Sequence, residues 1–316
     1  MYELPTELTL LLETAQSPHH PLSVRLRALG LLAQTIDAAF IEIPGRLSVF
    51  DGVHPSTLTG QWSPTTAEVA TLFAQISQIV RDQINVLLEQ HQICISPLEQ
   101  LSAEQRAWVQ AYFSHRIYPL LTPLAVDPGH PFPYISSDSL NYLVLLKAAT
   151  NAGIGPGLLY ARVKVPRHAV PRLVCIPPLA QVTANPPAVR HLVWSADIVR
   201  YFSAHLFPGM TVTGIYQFHL LRAACPCGEE GGQGQSKQQK FAPVVRLDIE
   251  ERSPAWLVRW LLEHLEVTAE LVVRCPMPLG IASLTDLADY ITPLLAQEKG
   301  KNEENEFPID RQMAMC

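Results

Sequence analysis

The sequence predicts an α+β fold, an N-terminal helical bundle followed by an α+β head domain, and three observations predict it. Over residues 7–116 apolar side chains recur at helical spacing. After Tyr118 a cluster of prolines stops that pattern, and from there to residue 295 short β-type runs alternate with helical ones. The 316 residues leave room for about two domains. With 48% hydrophobic and 16% charged residues, the balance is that of a folded chain rather than a disordered one.

In the first part, Leu22, Leu26, Leu29 and Ile36 fall near one helical face, as do Val69, Leu72, Phe73, Ile76, Ile79, Ile84 and Leu87. Three or four helices fit this stretch. Ser63, ahead of Pro64 and Glu68, marks the start of a helix over 65–90, and Ser102 with Gln105 forms a capping-box pattern for a helix over 103–116. A boundary falls near 117, because Pro119, Pro123, Pro128, Pro131 and Pro133 cannot continue a helix. Beyond it, strands are predicted over 142–146, 158–165, 172–176, 211–221, 244–249 and 270–274, and helices over 196–206, 255–265 and 284–295. The run 223–240, rich in Gly and Gln, reads as a surface loop. The expected division is 1–116 helical, 117–296 α+β, and a polar, frayed tail over 297–316.

A net charge of −6 argues against a nucleic-acid partner, and no apolar run approaches the ~20 residues of a membrane span. No basic segment precedes the first leucines, so a secretory signal is not expected and the cytoplasm is the expected location. The six cysteines read as thiols. Cys225, Cys227 and Cys275 offer three thiolates to zinc, but the second paired cluster of a structural site is missing, and no metal is expected. His19 and His20 sit in a proline-flanked turn and are expected to be exposed. Gly153, Gly155 and Gly157 precede a strand rather than open a helix, so they read as a turn and not as a nucleotide loop. Arg162 and Lys164, with Arg167 nearby, share a strand face that suits phosphate, but a solvated charged face is the expectation.

The segment LTPLAVDPGHPFP (121–133) holds four prolines in thirteen residues and reads as a rigid connector. Asp127 before Pro128 suits a turn, and His130 stands between a glycine and a proline. No nucleophile accompanies that pair, so Asp127, His130, Pro131, Phe132 and Pro133 are expected to form a structural motif and no catalytic residue is expected.

The same segment resembles the start of the head domain of the polyphosphate kinase family, bacterial enzymes that move the terminal phosphate of ATP onto polyphosphate. PLSVRLRALGLLAQTIDAAF (21–40) is similar to the family's N-terminal helix, and EQRAWVQAYFSHRIYPLLTPLAVDPGHPFPYISSDSLNY (104–142) continues the likeness. VKVPRHAVPRLVCIP, HLFPG, VVRLDIEE and MPLGIASLTDL follow in the family's order, so that the resemblance spans residues 8 to 290. In the family's helix motif, roughly SSNLDEFF, the asparagine contacts adenine; Thr35 stands in its place, while Asp37 and Phe40 are kept. A hydroxyl cannot supply the separate donor and acceptor of an amide. Of the family's FRVTRNADL run, Phe218 and Arg222 are kept.

The resemblance implies a truncated chain, the helical and head domains without the C-terminal catalytic domains that carry the phosphorylated histidine and the magnesium site. The expected role is therefore a binding or oligomerisation module, not catalytic alone, whose partner is a second copy or a full-length polyphosphate kinase, with polyphosphate as a further ligand. The alternative is the N-terminal half of a split or fragmentary polyphosphate kinase, an ATP:polyphosphate phosphotransferase. A third reading is a decayed remnant without function. No cofactor is expected; ATP and magnesium enter only if a catalytic half completes the enzyme.

Overall fold

Two helices open the chain, α1 (Thr6–Gln16) and α2 (Leu22–Ile41), in a computed structural model that describes residues 4–41, 64–126, 132–148, 158–167, 169–177, 189–224, 242–276 and 279–305. Leu22, Leu26, Leu29, Ile36 and Phe40 give α2 a continuous buried face. Buried Arg25 ties it to α1, donating from Nε to the carbonyl of Ala15 at 2.7 Å. Next comes α3 (Thr66–Ile79), and its N-cap is Thr65. The Thr65 hydroxyl accepts from the Glu68 amide and the Glu68 carboxylate accepts from the Thr65 amide. Ser63, the expected start, lies outside the described residues.

The helix predicted over 65–90 is interrupted by a π turn, Val80–Ile84, before α4 (Asn85–Gln90). Ser102 and Gln105 make the anticipated capping box for α5 (Ala103–Tyr112). A π turn, Phe113–Ile117, and a 3₁₀ turn, Tyr118–Leu120, end this helical run at the first proline.

The nine described strands are β1 (Ile93–Ile95), β2 (Leu124–Val126), β3 (Ser139–Ala148), β4 (Leu158–Lys164), β5 (Leu173–Cys175), β6 (Arg190–Trp194), β7 (Met210–Arg222), β8 (Val244–Glu250) and β9 (Val272–Cys275). A mixed six-stranded sheet has the order β2-β4-β3-β7-β8-β9, and a three-stranded one the order β1-β6-β5. The fold is α+β, as expected. Sequence reading missed β1, β2 and β6, and β1 arises inside the stretch expected to be helical, where it pairs in parallel with β6.

Three further α-helices are described: α6 (Ser195–Tyr201), α7 (Ala255–Leu265) and α8 (Leu284–Asn305). The last of these runs ten residues past its expected limit of 295, into the stretch taken as a frayed tail. Gly30 lets α8 close on α2, since a Cβ there would lie 2.5 Å from the Thr285 methyl group and 2.7 Å from its amide nitrogen.

The two faces of the larger sheet meet different neighbours. Leu143, Leu145, Phe218, Leu220, Leu247 and Ile249 pack on Leu257, Val258 and Leu261 of α7. Leu140, Tyr142, Val144 and Leu146 face the other way and join the core that contains α2 and α3. The Thr66 hydroxyl donates to the carbonyl of Glu270, and the Ala224 amide to that of Ile41, so the helical region is bonded to the sheet at β9 and at the end of β7.

Candidate functional site

Strand β8 reads VVRLDIE, and its period-two alternation puts Leu247 and Ile249 on the α7 side and Arg246, Asp248 and Glu250 on the other. The pairing His219↔Asp248 brings β7's histidine onto the same face. Arg246, with 1% of its side chain exposed, grips Asp248 through two bonds, Nε to Oδ1 at 2.8 Å and Nη2 to Oδ2 at 2.9 Å. Its Nη2 also donates to Asp37 of α2, which makes an ion pair across the junction between helix and sheet. The guanidinium carbon lies 4.9 Å from the centroid of the Phe40 ring and 5.4 Å from that of Phe73. Asp37 and Phe40, one turn apart on α2, therefore clasp the same cation.

His219 bridges two carboxylates, its Nδ1 lying 3.1 Å from Asp248 Oδ2 and its Nε2 3.1 Å from Asp138 Oδ1. Both contacts require an N–H, which the imidazolium supplies. Burial opposes that charge, but the bonds to Asp138 and Asp248 outweigh it and raise the His219 pKa to about 9. Burial likewise works against ionised Asp248, yet Arg246 and His219 hold its carboxyl below the ordinary value. Arg167 pairs with Asp138 at the exposed end. Three carboxylates, Asp37, Asp138 and Asp248, thus meet three cations, Arg246, His219 and Arg167, and at Asp37 burial outweighs the pull of Arg246 and raises the carboxyl above its ordinary value.

Beside it, Glu250 accepts from Arg200, from Arg252 and, at 3.1 Å, from the Gln217 amide. Gln217 Nε2 donates to the Tyr142 hydroxyl at 3.1 Å, and that hydroxyl donates to the Ala196 carbonyl at 2.8 Å. These groups order α6 against the sheet.

The sequence-derived candidates are spread over the molecule. Thr35 lies on α2 near Asp37, and its hydroxyl donates back to the Leu31 carbonyl at 2.9 Å. Asp127, His130 and Pro131 lie outside the described residues, as do Cys225, Cys227, Gly153, Gly155 and Gly157. Phe132 packs edge-on against Trp260, with ring centroids 5.8 Å apart, and Trp260 stacks on Tyr160 at 4.3 Å. Pro133 leads into the segment held by Arg222, which donates from Nε to the Ile135 carbonyl at 2.9 Å. Cys275 is buried, and burial pushes its thiol well above the ordinary value. His19 and His20 are exposed, as expected.

Arg162 departs from the expected solvated face. It is 7% exposed and donates from Nε to Asn141 Oδ1 at 2.8 Å, because the face it shares with Asn141 is covered. Lys164 reaches Ser136 at the surface instead. The Arg246, Asp248 and His219 constellation was not foreseen. The alternation of charges within the apolar run VVRLDIE is the signal that points to it.

A family model for the polyphosphate kinase middle domain matches residues 104–226. A polyphosphate kinase of Prosthecochloris aestuarii is 29% identical over 301 residues, 90% of this chain and 41% of that protein. One of Thermosynechococcus vestitus is 30% identical over 315 residues, 94% of this chain and 41% of that protein. The chain thus spans about two-fifths of the length of the curated relatives it matches. The crystal structure of polyphosphate kinase from Porphyromonas gingivalis shares the fold, with a TM-score of 0.71, 18% sequence identity, and coverage of 91% of this chain and 40% of that one.

Proposed function

We propose, for a chain that belongs to the polyphosphate kinase family, that the described helical and sheet regions serve as a binding and self-association module rather than as a phosphoryl-transfer centre. The observation that carries this reading is an apolar strip where the two regions join. Tyr118, Leu120 and Leu124 are 45%, 44% and 37% exposed, and Leu124 lies on β2, among the described residues the outermost strand on its side of the six-stranded sheet. An edge strand flanked by exposed apolar side chains suits pairing with another chain. The partner is a second copy or a full-length polyphosphate kinase, and the setting is the cytoplasm. Among the described residues no helix is long and apolar enough to cross a membrane.

The motif helix supports the same reading. The Thr35 hydroxyl is given to Leu31, and the Asp37 carboxylate to Arg246, so both polar groups at the family's nucleotide motif are used internally. This donor set fits adenine poorly, and we assign ATP and magnesium no step on these residues. Polyphosphate remains a ligand of the assembled partner complex in this reading. A second reading, the N-terminal half of a split polyphosphate kinase, draws on the matches to two-fifths of proteins that bear that name.

Sedimentation velocity of the full chain, alone and with a full-length polyphosphate kinase, tests the proposal. Self-association or complex formation that Leu124→Lys abolishes is expected. A chain that is monomeric at every concentration and binds no kinase contradicts it. Incorporation of terminal phosphate from labelled ATP on mixing with a catalytic half would establish the second reading instead.

A further inference from the structure

A cavity of about 120 Å³ opens where α3 and its π turn face β6 and the start of α8. Ile76, Val80, Ile84, Trp194 and Leu287 make its walls apolar, and among the described residues Arg172 is the one charged residue that lines it. An engineered apolar cavity of about 150 Å³ takes up benzene, so this space suits a single small ring or a short branched chain.

Arg172 is the unusual member. Its Nε donates to Ser283 Oγ at 2.9 Å, but Nη1 is buried without a hydrogen-bond partner and no carboxylate lies within ion-pair distance, among the described residues. Gly280, at φ +84°, lies so close that a Cβ there would stand 2.3 Å from Arg172 Nη2. Burial, and after it the neighbouring Arg167, lower the Arg172 pKa, and the more distant Asp286, Tyr142 and Asp138 offset this only in part. A buried charge without a partner is costly, and a planar carboxylate matches a guanidinium through paired bonds.

We propose that this cavity binds a small monocarboxylate with an apolar body of about the size of a benzene ring, held at its acid end by Arg172. One guanidinium neutralises one charge, so the apolar walls select against a triphosphate or a polyphosphate chain, whose further charges would be desolvated unpaired. A neutral molecule of the same shape leaves Arg172 without an ion-pair partner. None of the described residues that line the cavity belongs to the self-association strip.

Fluorine NMR of the full chain with 4-fluorobenzoate, and with 4-fluorobenzyl alcohol as the neutral counterpart, tests the assignment. The acid should bind with a Kd of about 1 mM or tighter and the alcohol about tenfold more weakly. Arg172→Gln should remove the preference for the acid, and Ala196→Leu, which fills the cavity from α6, should abolish binding of both. Tripolyphosphate should not displace the acid. If Arg172→Gln does not fold, the preference of the unaltered chain and the loss in Ala196→Leu decide the matter. Absence of acid binding, equal binding of acid and alcohol, unchanged binding in Ala196→Leu, or displacement by tripolyphosphate would each overturn the proposal.

Discussion

The two faces of the six-stranded sheet solve the same packing problem with different chemistry. Toward α7 the strands present Leu143, Leu145, Phe218, Leu220, Leu247 and Ile249, and the helix answers with Leu257, Val258 and Leu261. Toward the helical region the strands β7 and β8 present Gln217, His219, Arg246, Asp248 and Glu250, all of them buried. The apolar face gains free energy in proportion to area, and it would accept many side chains of similar volume. The polar face gains little net energy from its ions, because each had to be desolvated, and Arg246 Nη1 and Arg200 Nε stay buried without a partner among the described residues, but its ion pairs form in one arrangement only. Here the helical region is held on the sheet by an apolar core with a buried ionic cluster set into it, and α7 by hydrophobic fit.

The largest effect should come from removing the central cation. Arg246→Ala leaves buried Asp248 and half-buried Asp37 without their shared cation, and a loss of roughly 4 kcal/mol in urea unfolding is expected. Replacing Arg246, Asp37 and Asp248 together by apolar residues of similar volume should recover much of that loss. Failure to recover would mean that the ions themselves, not their pairing, hold the faces apart in character. On the opposite face Leu247→Ala should cost about 3 kcal/mol through lost burial and a cavity, and no second substitution on that face should rescue it except one that refills the volume.

The two faces should also respond differently to pH. His219 is protonated more readily in the folded chain than in the unfolded one, so the folded state binds the extra proton. Its contribution is complete below the unfolded value near 6.5 and is lost as pH rises through about 9. Stability should therefore fall by on the order of 2 kcal/mol between pH 6.5 and 9.5, and His219→Gln should flatten the slope. A slope that persists in His219→Gln would assign the effect elsewhere. The smallest change is Tyr142→Phe, which removes one hydroxyl between Gln217 and Ala196 and should cost about 1 kcal/mol in the same unfolding measurement.

Those differences also explain what could be read in advance. The α7 side was legible: AWLVRWLLEHL carries its own amphipathic period and ends where the sequence says it should, at Leu265. Ser102 and Gln105 announced α5 just as locally. Strands β1 and β6 were missed because three and five residues are too short to show a period, and because they pair with segments distant in sequence. The polar face was missed for a related reason. Asp37 and Arg246 are 209 positions apart, and nothing local to either shows that they meet. Only the charged alternation in VVRLDIE hinted at a buried polar strand face. The resemblance of residues 33–40 to a nucleotide motif likewise directed attention to Thr35, whereas the structure employs its neighbour Asp37 as the joint between helix and sheet.

The central claim is that the motif helix serves as a joint, and a double-mutant cycle between Asp37 and Arg246 measures it most directly. Urea unfolding of the full chain, Asp37→Asn, Arg246→Gln and the double variant gives the coupling energy. The account predicts a favourable coupling of about 2 kcal/mol or more, with each single variant less stable than the unaltered chain. A coupling within about 0.5 kcal/mol of zero, together with an Asp37→Asn chain as stable as the original, would contradict it.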